Sequence, residues 1–570
     1  MLRPATQLGA EATHEVTNQP SPLADYNLFT TDRVLTEGLE REGAARFRPR
    51  LEEFGARAGS EDAIQWGFQA NENPPVLRTH DRFGHRVDEV DFHPAWHEWM
   101  RLSIENHLAS LPWAEPRPGA HVARSSLMFL AAQIEAGHTC PVSMTSSAVP
   151  VLREQPELAR EWVPRVLAAR YDPRFRPAPQ KSGVLIGMAM TEKQGGSDVR
   201  ANTTSAEPTG AGEYIITGHK WFCSAPMSDA FLVLAQAPGG LTCFLLPHWT
   251  PDGQRNEFHI QRLKSKLGNR SNASGEVEFT GAWAQRIGEE GRGVATIIEM
   301  VQHTRLDCIM GTAALMRQGV VQAIHHARHR SAFSRLLADQ PLMQNVLADL
   351  AVESEAATML MLRLARAFDC RQSDPKEHGL ARLATAIGKY WISKRGPSHL
   401  AEALECLGGN GYVEESVLPR LYREAPVNSV WEGSGNVICL DILRAMRKEP
   451  ETAISLLDEI KGARGACRRF DAWTDRVETD LKEAATEVEA RRLAERLALA
   501  LQASLLIRHS IPAVAAHSAT RAWPKVPDML SARSRRKPIF AVFWRERFEL
   551  RRFSPNTSAG PSRIEREASR

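Results

Sequence analysis

Gly183-Val184-Leu185-Ile186-Gly187-Met188-Ala189-Met190-Thr191-Glu192-Lys193-Gln194-Gly195-Gly196-Ser197-Asp198 marks the place where the chain changes its pattern. Upstream, apolar residues recur at helical spacing. Two such segments open at Ala95-Trp96-His97-Glu98-Trp99-Met100 and at Ser126-Leu127-Met128-Phe129-Leu130-Ala131-Ala132-Gln133. From about residue 183, short apolar or alternating runs take over, with turns between them. Examples are Glu213-Tyr214-Ile215-Ile216-Thr217-Gly218, Ala230-Phe231-Leu232-Val233-Leu234-Ala235 and Leu241-Thr242-Cys243-Phe244-Leu245-Leu246. Gly239-Gly240 separates two of them, and Pro251-Asp252-Gly253 follows the third. Apolar runs punctuated in this way predict antiparallel strands. Gly275-Glu276-Val277-Glu278-Phe279 reads as the last of them.

Helical spacing returns from Gly293, where Leu360, Leu364 and Phe368 fall on one helix face. The expected fold class is therefore α+β and mostly α. An N-terminal helical domain spans 1–180, a middle antiparallel β domain 181–290 and a C-terminal helical bundle 291–445. An added helical domain follows over 446–512, with one helical segment from about 471 to 509. Its Leu493, Leu497, Leu501 and Leu505 stripe reads as core. Periodicity fails after Pro512, and residues 513–570 read as a basic tail. No internal repeat is visible.

The 570 residues suffice for several domains and a large core. Net charge is only +3, but residues 521–570 hold thirteen Lys/Arg against five Asp/Glu. A basic end of this kind suits an anionic partner such as nucleic acid, or simply a solvated tail. The eight cysteines form no C-x-x-C pair, which argues against a zinc site or a disulfide framework. No metal site is expected. Residues 1–27 lack a signal-type apolar core, and no apolar run is long enough to span a bilayer. The expected setting is cytoplasmic, with no membrane partner.

Five segments carry candidate chemistry. In Val430-Trp431-Glu432-Gly433-Ser434-Gly435-Asn436 one carboxylate lies between a bulky aromatic and small residues. Apolar surroundings raise a carboxylate's proton affinity, as a base for a weakly acidic C–H requires. The same residues also suit a plain acidic turn. Met190-Thr191-Glu192-Lys193-Gln194-Gly195-Gly196-Ser197-Asp198 offers hydroxyls and backbone N–H groups around a Gly-Gly turn. His219-Lys220-Trp221-Phe222-Cys223-Ser224 places an aromatic two residues before a hydroxyl on an extended chain. Arg328-His329-Arg330 ends a helix with guanidinium forks suited to pyrophosphate. Glu405-Cys406-Leu407-Gly408-Gly409-Asn410-Gly411-Tyr412 combines a helix stop with room for close backbone approach.

In this order, and across a helix–β–helix plan, these segments resemble the acyl-CoA dehydrogenase flavoproteins, and within them the adaptive-response branch. The likeness runs from about residue 25 to about 510. Its most specific strings are Met190–Val199, Lys266–Ser274 and Pro426–Asn436. The resemblance implies FAD between the β domain and the C-terminal helices, in a homotetramer. It assigns Met190, Thr191, Ser197, Phe222, Cys223 and Ser224 to the flavin site, and Arg330 to the FAD of a neighbouring subunit. It further assigns Gly408 and Gly409 to the phosphate or adenosine part, Ser434 and Asn436 to FAD contacts, and Glu432 to the catalytic base.

The implied reaction is α,β-dehydrogenation of an acyl-CoA thioester. Some family members place the base just before an arginine that matches Arg305. Here that position is Thr304, which is no carboxylate. Trp431 stands where many relatives have Tyr, Glu405 where many have Gln, and Ser334 where many have Gly. The branch implies weak activity toward isovaleryl-CoA, binding of double-stranded DNA and a part in the response to DNA alkylation. Arg444, Arg447, Lys448, Arg468 and Arg469 are the candidate DNA contacts. The alternative is a catabolic dehydrogenase of short or branched acyl-CoAs with no DNA role. Direct destruction of alkylating agents is a third reading.

Overall fold

The computed structural model describes residues 13–482 and 485–515. The first part is a helical layer of α1 (Arg33–Arg41), α2 (Arg48–Ala58) and α3 (Glu61–Glu72), followed by a hairpin of β1 (Val76–His80) and β2 (Arg86–Asp91). Then come α4 (Pro94–Glu105), α5 (Leu111–Ala114), α6 (Ala120–Ile134), α7 (Thr139–Arg153) and α8 (Pro156–Leu167). The hairpin is a strand pair within the part expected to be mainly helical. It rests on a turn at Gly84, which takes φ +90°, and on Arg78 bridging Glu89 and Asp91 across the strands.

The middle part is a seven-stranded sheet of β3 (Ile186–Ala189), β4 (Ser205–Gly210), β5 (Glu213–Ser224), β6 (Ala230–Ala237), β7 (Gly240–Pro247), β8 (Phe258–Leu263) and β9 (Ser274–Ile287). The pairings β6–β4–β5–β9–β7 return to β6 and close the sheet into a barrel, with β8 beside β9. Two features depart from expectation. β3 runs parallel to β6, because the long excursion between them permits a crossover that no hairpin would. β9 continues eight residues beyond Phe279 to Ile287, past an irregularity in its pairing with β5 near Gly281, which hides its alternation in the sequence.

The last part opens with α9 (Gly293–His329) and a two-residue hairpin, β10 (Ser331–Ala332) and β11 (Arg335–Leu336). It continues with α10 (Pro341–Cys370), α11 (Pro375–Glu405), α12 (Gly409–Tyr412), α13 (Leu418–Glu424) and α14 (Gly435–Lys448). Beyond lie α15 (Pro450–Lys461), α16 (Arg468–Lys482) and α17 (Ala490–His509). The helical segment expected over about 471–509 comprises α16 and α17. The division expected at residue 445 falls inside α14. Leu493, Leu497, Leu501 and Leu505 are all buried, as core packing requires. The Arg/Ser/Pro-rich part of the basic tail, residues 516–570, lies outside the described residues.

One apolar cluster runs through the helical layers, and another fills the barrel. A third lies between α7, α8 and the barrel, and both Met190 and Trp431 pack against it. The flavin-type loop and the Trp-Glu loop, some 240 residues apart in sequence, therefore share one apolar floor. No helix among the described residues is long and apolar enough to cross a membrane. The eight cysteines are all free.

Candidate active site

Glu432 stands in a turn between Val430 and α14, with its backbone in the left-handed region at φ +57°. A non-glycine residue there costs roughly 1 kcal/mol or more, so surrounding contacts must hold it. Arg305 on α9 donates Nε–H to the Glu432 carbonyl at 3.1 Å. Lys389 on α11 donates Nζ–H to the Gly433 carbonyl at 2.5 Å. The Trp431 indole donates to Asn428 Oδ1 at 3.0 Å. Arg305 is anchored in turn by Asp441 on α14 at 2.7 Å. Burial would raise the Asp441 carboxyl, but Arg305, Arg382 and Arg444 hold it well below the usual carboxylate range.

The Glu432 side chain is half-buried, and Oε2 accepts a hydrogen bond from Thr304 Oγ1 at 2.6 Å. Burial raises its carboxyl above the ordinary value, and Asp307 adds to this. The Thr304 hydroxyl and the charges of Arg305 and Lys389 pull the other way. This is the poise that a base for a C–H proton needs. The Cys140 thiol on α7 links the two halves of the site. It lies beside the Ser224 hydroxyl, feels the Glu432 charge, and is pushed up to about 12 by burial.

On the barrel side, two residues of β5, Trp221 and Phe222, oppose one of β9, Glu276, between Lys220 and Cys223. Such a bulge re-aims side chains. Phe222 is thrown out to 52% exposure, and Ser224 is half-buried. Cys223 turns the other way, with its thiol fully buried in the barrel core. Its backbone is left as the part that faces outward beside Phe222 and Ser224. Thr191 and Met190 are half-buried, and Ser197 is exposed.

The loop that carries these residues is built on Glu192. Its carboxylate accepts from Lys220 Nζ at 2.8 Å, the Thr203 amide at 2.7 Å, the Thr204 amide at 3.2 Å and Gln194 Nε2 at 2.7 Å. Burial pushes Lys220 down to about 8 against the pull of Glu192. The Lys266–Ser274 stretch is a joint between three layers. Asn269 donates twice to Glu424 of α13 (2.5 and 2.7 Å), and Ser271 donates to Glu135 at the end of α6 (2.6 Å).

A second group lies where α9 ends. Arg330 follows the last helical residue, and its Nη1 donates to the Asn18 carbonyl at 2.6 Å. The Asn18 side chain pairs with both the N–H and the C=O of Ser331 (2.7 and 2.9 Å), and Gln19 accepts from Asn410 at 3.1 Å. The N-terminal segment thus straps Arg330 to the Gly408–Asn410 turn. Gly408 takes φ +59°, and a Cβ at Gly408 or Gly409 would meet nothing within 4 Å. Ser434 and Asn436 are exposed at the start of α14.

The hydroxyls of Thr191, Ser197 and Ser434 carry no protein hydrogen bond among the described residues. With the out-turned Phe222 and the open Gly408-Gly409 turn, these donors fit a flat heterocycle with a phosphate tail. No cluster of His, Cys, Asp or Glu among the described residues could hold a metal. Of the candidate DNA contacts, Arg444 pairs with Asp441 at 2.6 Å while staying exposed. Arg447 and Lys448 are exposed on the last turn of α14, and Arg468 and Arg469 on the first turn of α16.

Thr304, Arg305, Lys389 and the Glu192–Lys220 pair were not singled out as site residues from sequence. Lys389 had a signal in the sequence, as a lone cation in the apolar run Ala386-Ile387-Gly388-Lys389-Tyr390-Trp391.

Residues 18–173 match the family described as Adaptive response protein AidB N-terminal domain. Residues 187–282 and 291–447 match the middle and C-terminal domains of acyl-CoA dehydrogenase. The chain is 46% identical to AidB of Escherichia coli (strain K12) over 90% of its own length and 94% of that protein's. The chain belongs to the acyl-CoA dehydrogenase family, in its AidB branch. This AidB-branch chain is also 31% identical to acyl-CoA dehydrogenase family member 11 of Caenorhabditis elegans, over 72% of this chain and 69% of that protein. The crystal structure of C. elegans ACDH-11 in complex with C11-CoA superposes with a TM-score of 0.81 at 28% identity, covering 91% of this chain and 93% of that one. Family membership places the chain among the acyl-CoA dehydrogenase oxidoreductases.

Proposed function

We propose that this protein is a cytoplasmic, FAD-dependent acyl-CoA dehydrogenase that also binds double-stranded DNA in the response to alkylation damage, with weak activity toward isovaleryl-type thioesters. The observation that carries the enzymatic part is the Glu432 carboxylate. It is half-buried, hydrogen-bonded at one oxygen only among the described residues, and set on the same apolar floor as the Met190 loop. When bound, FAD supplies the acceptor for the hydride that leaves the substrate's β-carbon. Glu432 takes the α-proton. Thr191, Ser197, Ser224, Ser434 and Asn436 offer polar groups to the ring and its chain, and Phe222 offers an aromatic face.

In this reading Arg330 reaches the FAD of a neighbouring subunit within a homotetramer, and Gly408 and Gly409 admit the cofactor's phosphate or adenosine part. Support comes from the apolar surface beside Arg330: Phe333 is 94% exposed, and Leu342 and Tyr412 are exposed as well. Trp431, tethered to Asn428, narrows the acyl cavity and favours short, branched chains.

The DNA part rests on the AidB-branch likeness and on exposed cations at α14 and α16. A catabolic dehydrogenase without a DNA role is the second reading, favoured by the complete base geometry around Glu432. Two assays on the full chain separate them. The proposal expects tight, salt-sensitive retention of duplex DNA together with slow isovaleryl-CoA turnover that Glu432→Gln abolishes. Fast turnover without DNA retention would establish the second reading.

A further inference from the structure

The two cations nearest the carboxylate of Glu432 are committed elsewhere. Arg305 serves Asp441 and the Glu432 carbonyl, and Lys389 serves the Gly433 carbonyl. Neither hydrogen-bonds the carboxylate. Thr304 alone does so among the described residues, at 2.6 Å to Oε2. An ionised carboxylate is acceptor-only, so the hydroxyl must donate. Thr304 also lies 3.2 Å from the Val301 carbonyl. One proton cannot serve both, and the shorter bond to the charged oxygen is the stronger. The β-branched side chain has restricted χ1 freedom, which keeps the hydroxyl aimed.

We propose that Thr304 is a positioning residue: its hydroxyl keeps Glu432 ionised and fixes Oε2, so that Oε1 receives the substrate's α-proton. This rests on Glu432 being the base. The step breaks the α C–H bond and forms O–H on Oε1, while the Thr304 proton stays on its own oxygen. Other ionisable groups face Glu432 from three helices. Arg305, Asp307 and Cys308 lie on α9, Lys389 on α11 and Cys140 on α7. The Arg305 and Lys389 charges favour the ionised form, while Asp307 and burial oppose it. The Thr304 bond adds to the favourable side and is the contact that a single isosteric change removes.

The test is an infrared titration of the FAD-loaded protein, following the protonated-carboxyl band that disappears in Glu432→Gln. Thr304→Val should raise the titration midpoint by about one pH unit, a tenfold change in proton affinity. Thr304→Ser should stay close to wild type. The acid limb of flavin reduction by isovaleryl-CoA should move by the same amount. An unchanged midpoint in Thr304→Val overturns the inference while leaving Glu432 as the base. If Glu432→Gln still passes its substrate's electrons to the flavin, the base assignment falls and the role of Thr304 falls with it.

Discussion

Two demands conflict at position 432 in the proposed role: a base there must be a carboxylate, and the backbone lies where glycine is favoured. The conflict is held by Arg305 and Lys389, which clamp consecutive carbonyls of the turn. Burial also raises the Glu432 carboxyl, so the fold carries a cost at neutral pH. A carboxyl with a raised folded value binds its proton more tightly when folded. Stability therefore falls as pH rises from the ordinary carboxyl value through the folded one, and the cost persists above both. Glu432→Gln should accordingly stabilise the protein at neutral pH, by roughly 1 kcal/mol, while abolishing dehydrogenation. The gain should vanish at pH values where both forms are neutral. Thermal melts of the two proteins across pH check this, and a Glu432→Gln protein that is less stable at pH 7 would contradict it. The proposed base was a candidate in sequence because an aromatic and small residues flank it and because the family resemblance assigns that position. The contact of Thr304 with that carboxylate was not legible, because a helix far away in sequence supplies it, and Lys389 showed only as a lone cation in an apolar run with no hint of its partner.

Among the elements, the loop after β3 shows how a buried ion pair organises a binding surface. Glu192 and Lys220 are fully buried, and the carboxylate satisfies two backbone amides as well. Removing one partner of such a pair leaves an uncompensated charge and costs about 3–5 kcal/mol. Lys220→Met should therefore destabilise the protein by that order in denaturant unfolding and release bound FAD. Unchanged stability would show that the loop does not depend on the pair. The Thr191 and Ser197 hydroxyls were readable in sequence. The pair beneath them was not, since a Glu and a Lys 28 residues apart look like surface charges until the barrel closes. The β domain was legible from its apolar runs, except where the irregularity near Gly281 interrupts β9 and where β3 joins in parallel; its closure into a barrel was not. The β1–β2 hairpin was missed because its strands are short and polar.

For the whole molecule, the helix–β–helix order follows from a change of period at residue 183 and its return near Gly293. Assembly and partners are a different matter, because they depend on surfaces whose charge and exposure only the fold reveals. If the protein forms the proposed tetramer, Phe333→Asp should shift it to smaller species in sedimentation and lower its FAD content, whereas an unchanged assembly would remove this hairpin from the interface. Neutralising Arg447, Lys448, Arg468 and Arg469 together should weaken duplex DNA binding and flatten its dependence on salt, each lost phosphate contact lowering the slope by about one. An unchanged slope would clear α14 and α16 of that role. The central claim, a flavin lying against the Glu432 side chain, is tested most directly by the visible spectrum of the FAD-loaded protein during anaerobic addition of isovaleryl-CoA. The account predicts bleaching of the flavin band in the wild type and none in Glu432→Gln. A protein that cannot be loaded with FAD, or equal bleaching in both, would contradict it.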